Sequence, residues 1–313
     1  MWPFLALAGA NGVAGAAGTP AARALPPALV PPELLAGALA VRSIATRSAT
    51  VVGPALGGFI FAARAEAVYA VAIALFAVAF VCVLRMRVPV VERAEGGPSL
   101  GWHSLLGGVR FIRRTEVVLG AITLDLFAVL FGGAVALLPL YARSILHTGP
   151  VGLGFLRTAP AVGGLLAAAL LANRPIGGKA GKRLLLVVGV FGASMVVFGL
   201  SRSFTVSFVA LAVSGFADMF SVNIRITAVS LATPDALRGR VLAVENVFIS
   251  ASNELGAFES GLAASLIGAT PAVVIGGALT IALALTWTRL FPSLTQVDRL
   301  EDLQPALADG SSG

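Results

Sequence analysis

The 313-residue chain is 58% hydrophobic and only 12% charged, with a mean hydropathy of +0.94. Soluble domains average about 45–50% apolar and about 25% charged residues, so this charge cannot wet a water-soluble surface, and a soluble enzyme and a disordered chain are both excluded. The 22 basic and 15 acidic residues give a formal net charge of +7, but in a membrane chain basic residues gather in cytoplasmic loops for topological reasons, so no nucleic-acid partner is expected.

A helix crosses about 30 Å of hydrocarbon with roughly 20 apolar residues. Nine stretches qualify: 3–22, 36–62, 66–86, 117–141, 150–173, 184–201, 204–228, 239–267 and 269–290. The reading is an all-α polytopic membrane protein with about nine transmembrane helices and the lipid bilayer as its first partner. Residues 1–22 carry no charge, yet they lack the basic start of a signal peptide, and Gly9, Gly12, Gly15 and Gly18 interrupt their apolar run. Small residues once per turn suit close helix approach instead. The joints at Ala62–Ala65, Ser201–Ser203 and Gly268–Pro271 leave room only for tight helical hairpins.

Basic residues set the orientation. One alternate set of connections holds eighteen of them, from Arg23 and Arg42 to Arg289 and Arg299; the opposite set holds only Arg64, Arg143 and Arg202. That bias places the first set and the C-terminus in the cytoplasm. The organisation is read as a partial N-terminal bundle of three spans (1–88), a cytoplasmic linker (89–116), a six-helix bundle (117–291) and a polar, disordered tail (292–313). In the linker, Trp102, Leu105, Leu106, Val109 and Ile112 recur at helical spacing opposite His103, Arg110 and Arg114. That amphipathic pattern predicts a helix along the inner membrane surface, a plain cytosolic linker helix being the competing view. His103 and His147 read as solvated residues, and Cys82 is the single cysteine. No metal site, disulfide or cofactor is expected.

Two loops repeat. Arg23 is followed by Pro32-Glu33-x-Leu35-x-Gly37, and Arg225 by Pro234-Asp235-x-Leu237-x-Gly239, each displaced by 202 residues. A one-residue shift extends the match to Gly53/Gly256 and Gly58/Gly261. Proline suits the first turn of a helix, and a carboxylate there favours the dipole. A parallel repeat of about 200 residues implies six spans in each half. By that displacement the first three spans of the first half would precede Met1, returning the N-terminus to the cytoplasm and the count to twelve.

The most telling segments are Leu29-Val-Pro-Pro-Glu-Leu-Leu-Ala-Gly-Ala-Leu39, Gly53-Pro-Ala-Leu-Gly-Gly58 and Leu130-Phe-Gly-Gly-Ala-Val-Ala-Leu-Leu-Pro-Leu-Tyr141. Thr233-Pro-Asp-Ala-Leu-Arg-Gly-Arg-Val241 and Ser252-Asn-Glu-Leu-Gly-Ala-Phe-Glu-Ser-Gly261 are more specific. With these the chain resembles the major facilitator superfamily from its fourth helix onward. Within it, the similarity is to the siderophore exporters related to the enterobactin exporter and to macrolide-efflux proteins. The resemblance implies the major facilitator fold (helices 4–12 of twelve) in the inner (plasma) membrane, as a monomer. It further implies export of a small organic molecule, with protons as coupling ion. The family's signature loop between its second and third helices would have its second-half counterpart at residues 173–183, which keep glycine and basic residues but lack the usual Asp.

Ionisable groups inside hydrocarbon cost roughly 2.5–3.5 kcal/mol each on insertion scales, so they face cavities or partners. By depth, Asp218 and Glu254 fall near the midplane, Arg157 and Glu259 in the outer third, Asp125 in the inner third, and Arg225 and Glu245 at the cytoplasmic rim. Ser207, Ser214, Asp218, Ser221 and Arg225 share one helix face. Glu245, Ser252, Gly256 and Glu259 share another, with Asn253 and Ser260 beside it and Glu254 opposite. These stripes read as the wall of a cavity at the repeat interface. Asp125, Arg157, Asp218, Asn253, Glu254 and Glu259 are the expected substrate or proton pathway. Arg23, Glu33, Arg225, Asp235, Arg238, Arg240 and Glu245 are the expected structural or gating residues. For Arg157 with Glu259, a pair that only glues helices fits as well as a pathway. A membrane-embedded enzyme lacks the clustered nucleophile, base or metal ligands it would need, with no HExxH or GxSxG in the chain. A transport-inactive fragment or regulatory membrane protein of the same fold is the alternative.

Overall fold

The computed structural model describes residues 32–86, 102–173 and 176–303, with a few isolated positions before residue 32. Among these residues every regular element is helical: α1 (Pro32–Ala63), α2 (Ala65–Arg85), α3 (Trp102–Arg114), α4 (Glu116–Phe131), α5 (Leu138–Ser144), α6 (Gly149–Asn173), α7 (Ala180–Leu200), α8 (Phe204–Ala232), α9 (Asp235–Ile267), α10 (Ala269–Leu290) and the short α11 (Pro292–Gln296), with 3-10 turns at Ala134–Leu137 and Leu300–Asp302. Seven helical stretches are long and apolar enough to cross a membrane: Ile44–Ala63, Ala65–Arg85, Glu116–Ser144, Gly149–Asn173, Ala180–Leu200, Phe204–Ala232 and Ala269–Leu290. The span expected at 3–22 lies outside the described residues, as do Arg23, most of the linker and residues 304–313. The span expected at 239–267 is present as α9, whose 33 residues reach about 50 Å; its Arg238, Arg240, Glu245, Glu254 and Glu259 keep it out of the apolar set.

The chain divides into two compact units, Met1–Thr50 with Glu66–Gly97 and Val51–Ala65 with Pro98–Gly313. In the first, α2 is apolar all round and buries none of its residues, Phe76 being 77% exposed; such a helix is stable only with hydrocarbon or other helices around it. Helices α1 and α9 start at the two Pro-acid pairs and run 32 and 33 residues. Their successors α2 and α10 run 21 and 22.

Small residues hold the second unit together. A Cβ on Gly192 of α7 would sit 2.7 Å from the Gly277 carbonyl oxygen of α10, and one on Gly277 would sit 2.7 Å from that of Gly192. Gly163 of α6 and Gly215 of α8 press in the same way on the backbones of Ala212 and Pro160. Backbone-to-backbone seams of this kind are how helices associate where lipid removes the hydrophobic drive. At Gly132–Gly133 the span begun by α4 breaks into a 3-10 turn before α5, and Gly133 lies against the Gly256 carbonyl of α9. Two buried polar contacts fix the ends: the Trp287 indole donates to the Gly120 carbonyl at 3.0 Å, and the Tyr141 hydroxyl to that of Gly199 at 3.1 Å.

The linker helix and the segment after α10 both pack on the second unit. Helix α3 does not present its apolar side to lipid alone: Ile112 and partly buried Val109 and Phe111 join a core with Val118, Val229, Val241 and Val244, so this side packs on α4, α8 and α9. Residues 292–303 are not a structureless tail. Leu294 and Leu300 are buried in the same core as Leu184, Ile224 and Trp287. The Asp298 carboxylate accepts from the Lys179 amide at 2.7 Å, and the carbonyls of Asp298 and Val297 accept from Ala180 and Gly181. The start of α7, entered through left-handed Lys179 (φ 64°), thereby has its free amide donors satisfied from 119 residues away. This is the loop that lacks a local Asp.

Candidate functional site

Three helices of the second unit contribute one buried cluster of charge. Arg225 of α8 donates through Nη1 to Glu245 Oε1 of α9 at 2.8 Å, and the same nitrogen lies 3.1 Å from Asp125 Oδ2 of α4. All three side chains are at most 7% exposed. Arg225 Nε is buried with no hydrogen-bond partner. Two carboxylates on one guanidinium leave the ionised trio one negative charge in excess, a costly state in low dielectric.

A small cavity adjoins it, about 20 Å³, lined by Asp125, Ala128 and Val129 of α4, Val187, Val188 and Phe191 of α7, and Ala217, Asp218 and Ser221 of α8. That is room for about one water molecule. Asp218 lies two turns before Arg225, is exposed and has no ion-pair partner among the described residues. A carboxylate in the trio and an accessible one thus share a small pocket whose other walls, apart from Ser221, are apolar.

The other expected residues are placed differently. On α8 the polar stripe turns inward: Ser207, Ser214, Ser221 and Arg225 are buried, and Ser207 bonds to Ser201. On α9 the buried face is Glu245, Ser252 and Ser260 with Gly256. Glu259 falls one position off that face and is exposed, as are Asn253 and Glu254; the Asn253 amide donates back to the Ile249 carbonyl. Arg157 is exposed on α6 and makes no ion pair with Glu259, because α6 packs on α8 while α9 packs on α3, α4 and α10. Arg238 pairs with Asp235 at 2.6 Å and donates to the Ser230 carbonyl, closing the α8–α9 turn. Arg240 is exposed. The Glu33 side chain lies outside the described set. Depth put Asp125 in one layer with Arg225 and Glu245 without naming the pair, and nothing in the sequence pointed to Phe191 and Val188 as cavity walls. Among the described residues no group of acidic, His or Cys side chains is arranged to hold a metal ion.

The sequence profile of the Major Facilitator Superfamily matches residues 1–257. The fold is similar to the crystal structure of a bacterial homolog of the human lysosomal transporter Spinster, in an inward-facing and unoccupied conformation. The TM-score is 0.59 at 15% identity, over 88% of this chain and 75% of that one. At that identity the likeness speaks for the fold. None of the curated proteins matches the chain.

Proposed function

The chain belongs to the Major Facilitator Superfamily, a multi-pass secondary transporter, and we propose that it exports a small siderophore-like or drug-like molecule in exchange for protons. The reading is carried by one observation: Asp218 and Asp125 line the same cavity, and Asp125 is tied to a buried guanidinium that Glu245 also holds. Coupling requires that proton binding favour one conformational state over the other. A proton on Asp125 removes the excess charge of the trio and leaves Arg225 to Glu245 alone. That changes which of α4, α8 and α9 the guanidinium ties together, which is the differential interaction alternating access needs.

In this proposal Asp125 and Asp218 carry the proton, and Arg225 and Glu245 position them. Arg157, Asn253, Glu254 and Glu259 are exposed side chains within spans and serve the substrate path. Asp235 with Arg238, and Arg240, brace the turn into α9. The class of cargo and the outward direction follow the siderophore and macrolide exporters that the loop motifs resemble. The excess of basic residues in one set of loops supports an inner-membrane protein with a cytoplasmic C-terminus, working as a monomer.

The test uses inside-out vesicles with an imposed pH gradient, with a catecholate siderophore and a macrolide as probes. Accumulation should follow the gradient and vanish in Asp218→Asn, with the purified variant keeping its elution profile. Unchanged pH dependence in that variant would take Asp218 out of the coupling role.

A further inference from the structure

Arg110, Arg113 and Arg114 on α3 and Arg240 on α9 are exposed, and none makes an ion pair with a described carboxylate. They are held together by packing. Gly108 meets the Arg240 backbone, where a Cβ would come within 3.0 Å of its carbonyl oxygen, and a Cβ on Gly107 would lie 3.8 Å from Arg240 Nη1. Positions 107, 110 and 114 share one face of α3, as do 106, 110 and 113. The guanidiniums of Arg240, Arg110 and Arg114 therefore follow a strip about 10 Å long. The buried side, at Gly108 and Ile112, is taken up by α4 and α9, which fixes the basic side outward.

Two further observations identify what meets this strip. Helix α3 ends at Arg114, two residues before the span Glu116–Ser144 begins, so the arginines stand where hydrocarbon gives way to headgroups. Leu106, on the face of Arg110 and Arg113, is 58% exposed. A large apolar residue beside basic ones at that level is the pattern of a helix face meeting lipid rather than a dissolved anion. Among the described residues the acids nearby do not neutralise the strip: Asp235 is taken by Arg238, and the single carboxylate of Glu116 pairs with none of the four arginines.

We propose that this strip on α3 and the start of α9 binds the phosphate headgroup of an anionic phospholipid. The site lies apart from the Asp125–Asp218 cavity, and its test is independent of transport.

Native mass spectrometry of the full chain, released from micelles carrying phosphatidylglycerol or phosphatidylcholine, reads the binding directly. The wild-type protein should retain phosphatidylglycerol in preference to phosphatidylcholine. R110Q/R113Q/R114Q/R240Q should lose retention by about fivefold per arginine removed, and the four Arg→Lys changes should restore most of it. Equal retention of the two lipids by the wild-type protein overturns the proposal, whether or not the glutamine variant folds. So does undiminished phosphatidylglycerol retention in a folded glutamine variant. Displacement of the lipid by soluble glycerol phosphate at equal concentration would also overturn it, since the site would then read a free phosphate.

Discussion

Arg225→Gln would leave Asp125 and Glu245 facing each other across the place the guanidinium filled. The side chains are 3–7% exposed, so water cannot replace it, and uncompensated charge left by breaking a buried pair costs about 3–5 kcal/mol. At about 2–4 °C per kcal/mol for a unit of this size, the melting midpoint in detergent should fall by about 10 °C. Glu245→Gln is the opposite case. It removes the excess charge and leaves Arg225 with Asp125, so the midpoint should move by no more than about 3 °C. The combined Asp125→Asn, Arg225→Gln and Glu245→Gln variant removes every charge and should recover most of what Arg225→Gln loses. Fluorescence-detected size-exclusion melting of the four proteins at pH 7 gives the comparison. If Glu245→Gln lowers the midpoint as far as Arg225→Gln, or if the triple variant gives no recovery, the charge argument is wrong.

Two more outcomes follow from the packing. Gly192→Ala puts a methyl group 2.7 Å from the Gly277 carbonyl, a backbone atom that cannot turn aside, and should cost at least about 2 kcal/mol. Gly189→Ala on the same helix meets nothing within 4 Å and should raise stability by about 0.5–1 kcal/mol through helix propensity; the pair is compared by the same melting assay. Asp298→Ala should weaken the start of α7 by about 1 kcal/mol and speed amide exchange at Lys179 most, while Ala180 and Gly181, bonded to main-chain carbonyls, stay better protected. Equal exchange at all three amides in the variant and the parent would count against the cap.

Much of the helical architecture was legible because its signals are local. The Pro-acid pairs at 32–33 and 234–235 mark the starts of α1 and α9, and tight joints such as Ser201–Ser203 set the hairpins. Arg225 and Glu245 were legible as rim charges at matching depth. What depth counting cannot see is tilt and reach. Depth puts Asp125 in the inner layer with Arg225 and Glu245 but leaves open which groups meet; a long guanidinium reaches both carboxylates, and α4 crosses α8 close enough to join them. For Arg157 and Glu259, equal depth said nothing about which helices are neighbours. Over the 33 residues of α9 a one-position error in phase decides the face, which is how Ser260 is buried and Glu259 is not. The order in 292–303 did leave a trace: Leu294, Val297, Leu300 and Leu303 recur every third residue and all enter one core, but polar neighbours hid the spacing.

The paired glycines at 192 and 277, and at 163 and 215, have a mechanical meaning. Where main chains touch, one helix cannot ratchet past the other without first lifting away and losing the whole length of its seam. Helices α6 with α8, and α7 with α10, therefore behave as welded beams, and a working stroke has to bend or swing elements outside those welds. The break at Gly132–Gly133, where hydrogen bonding within the span is already interrupted, is the natural place for such a stroke to be taken up.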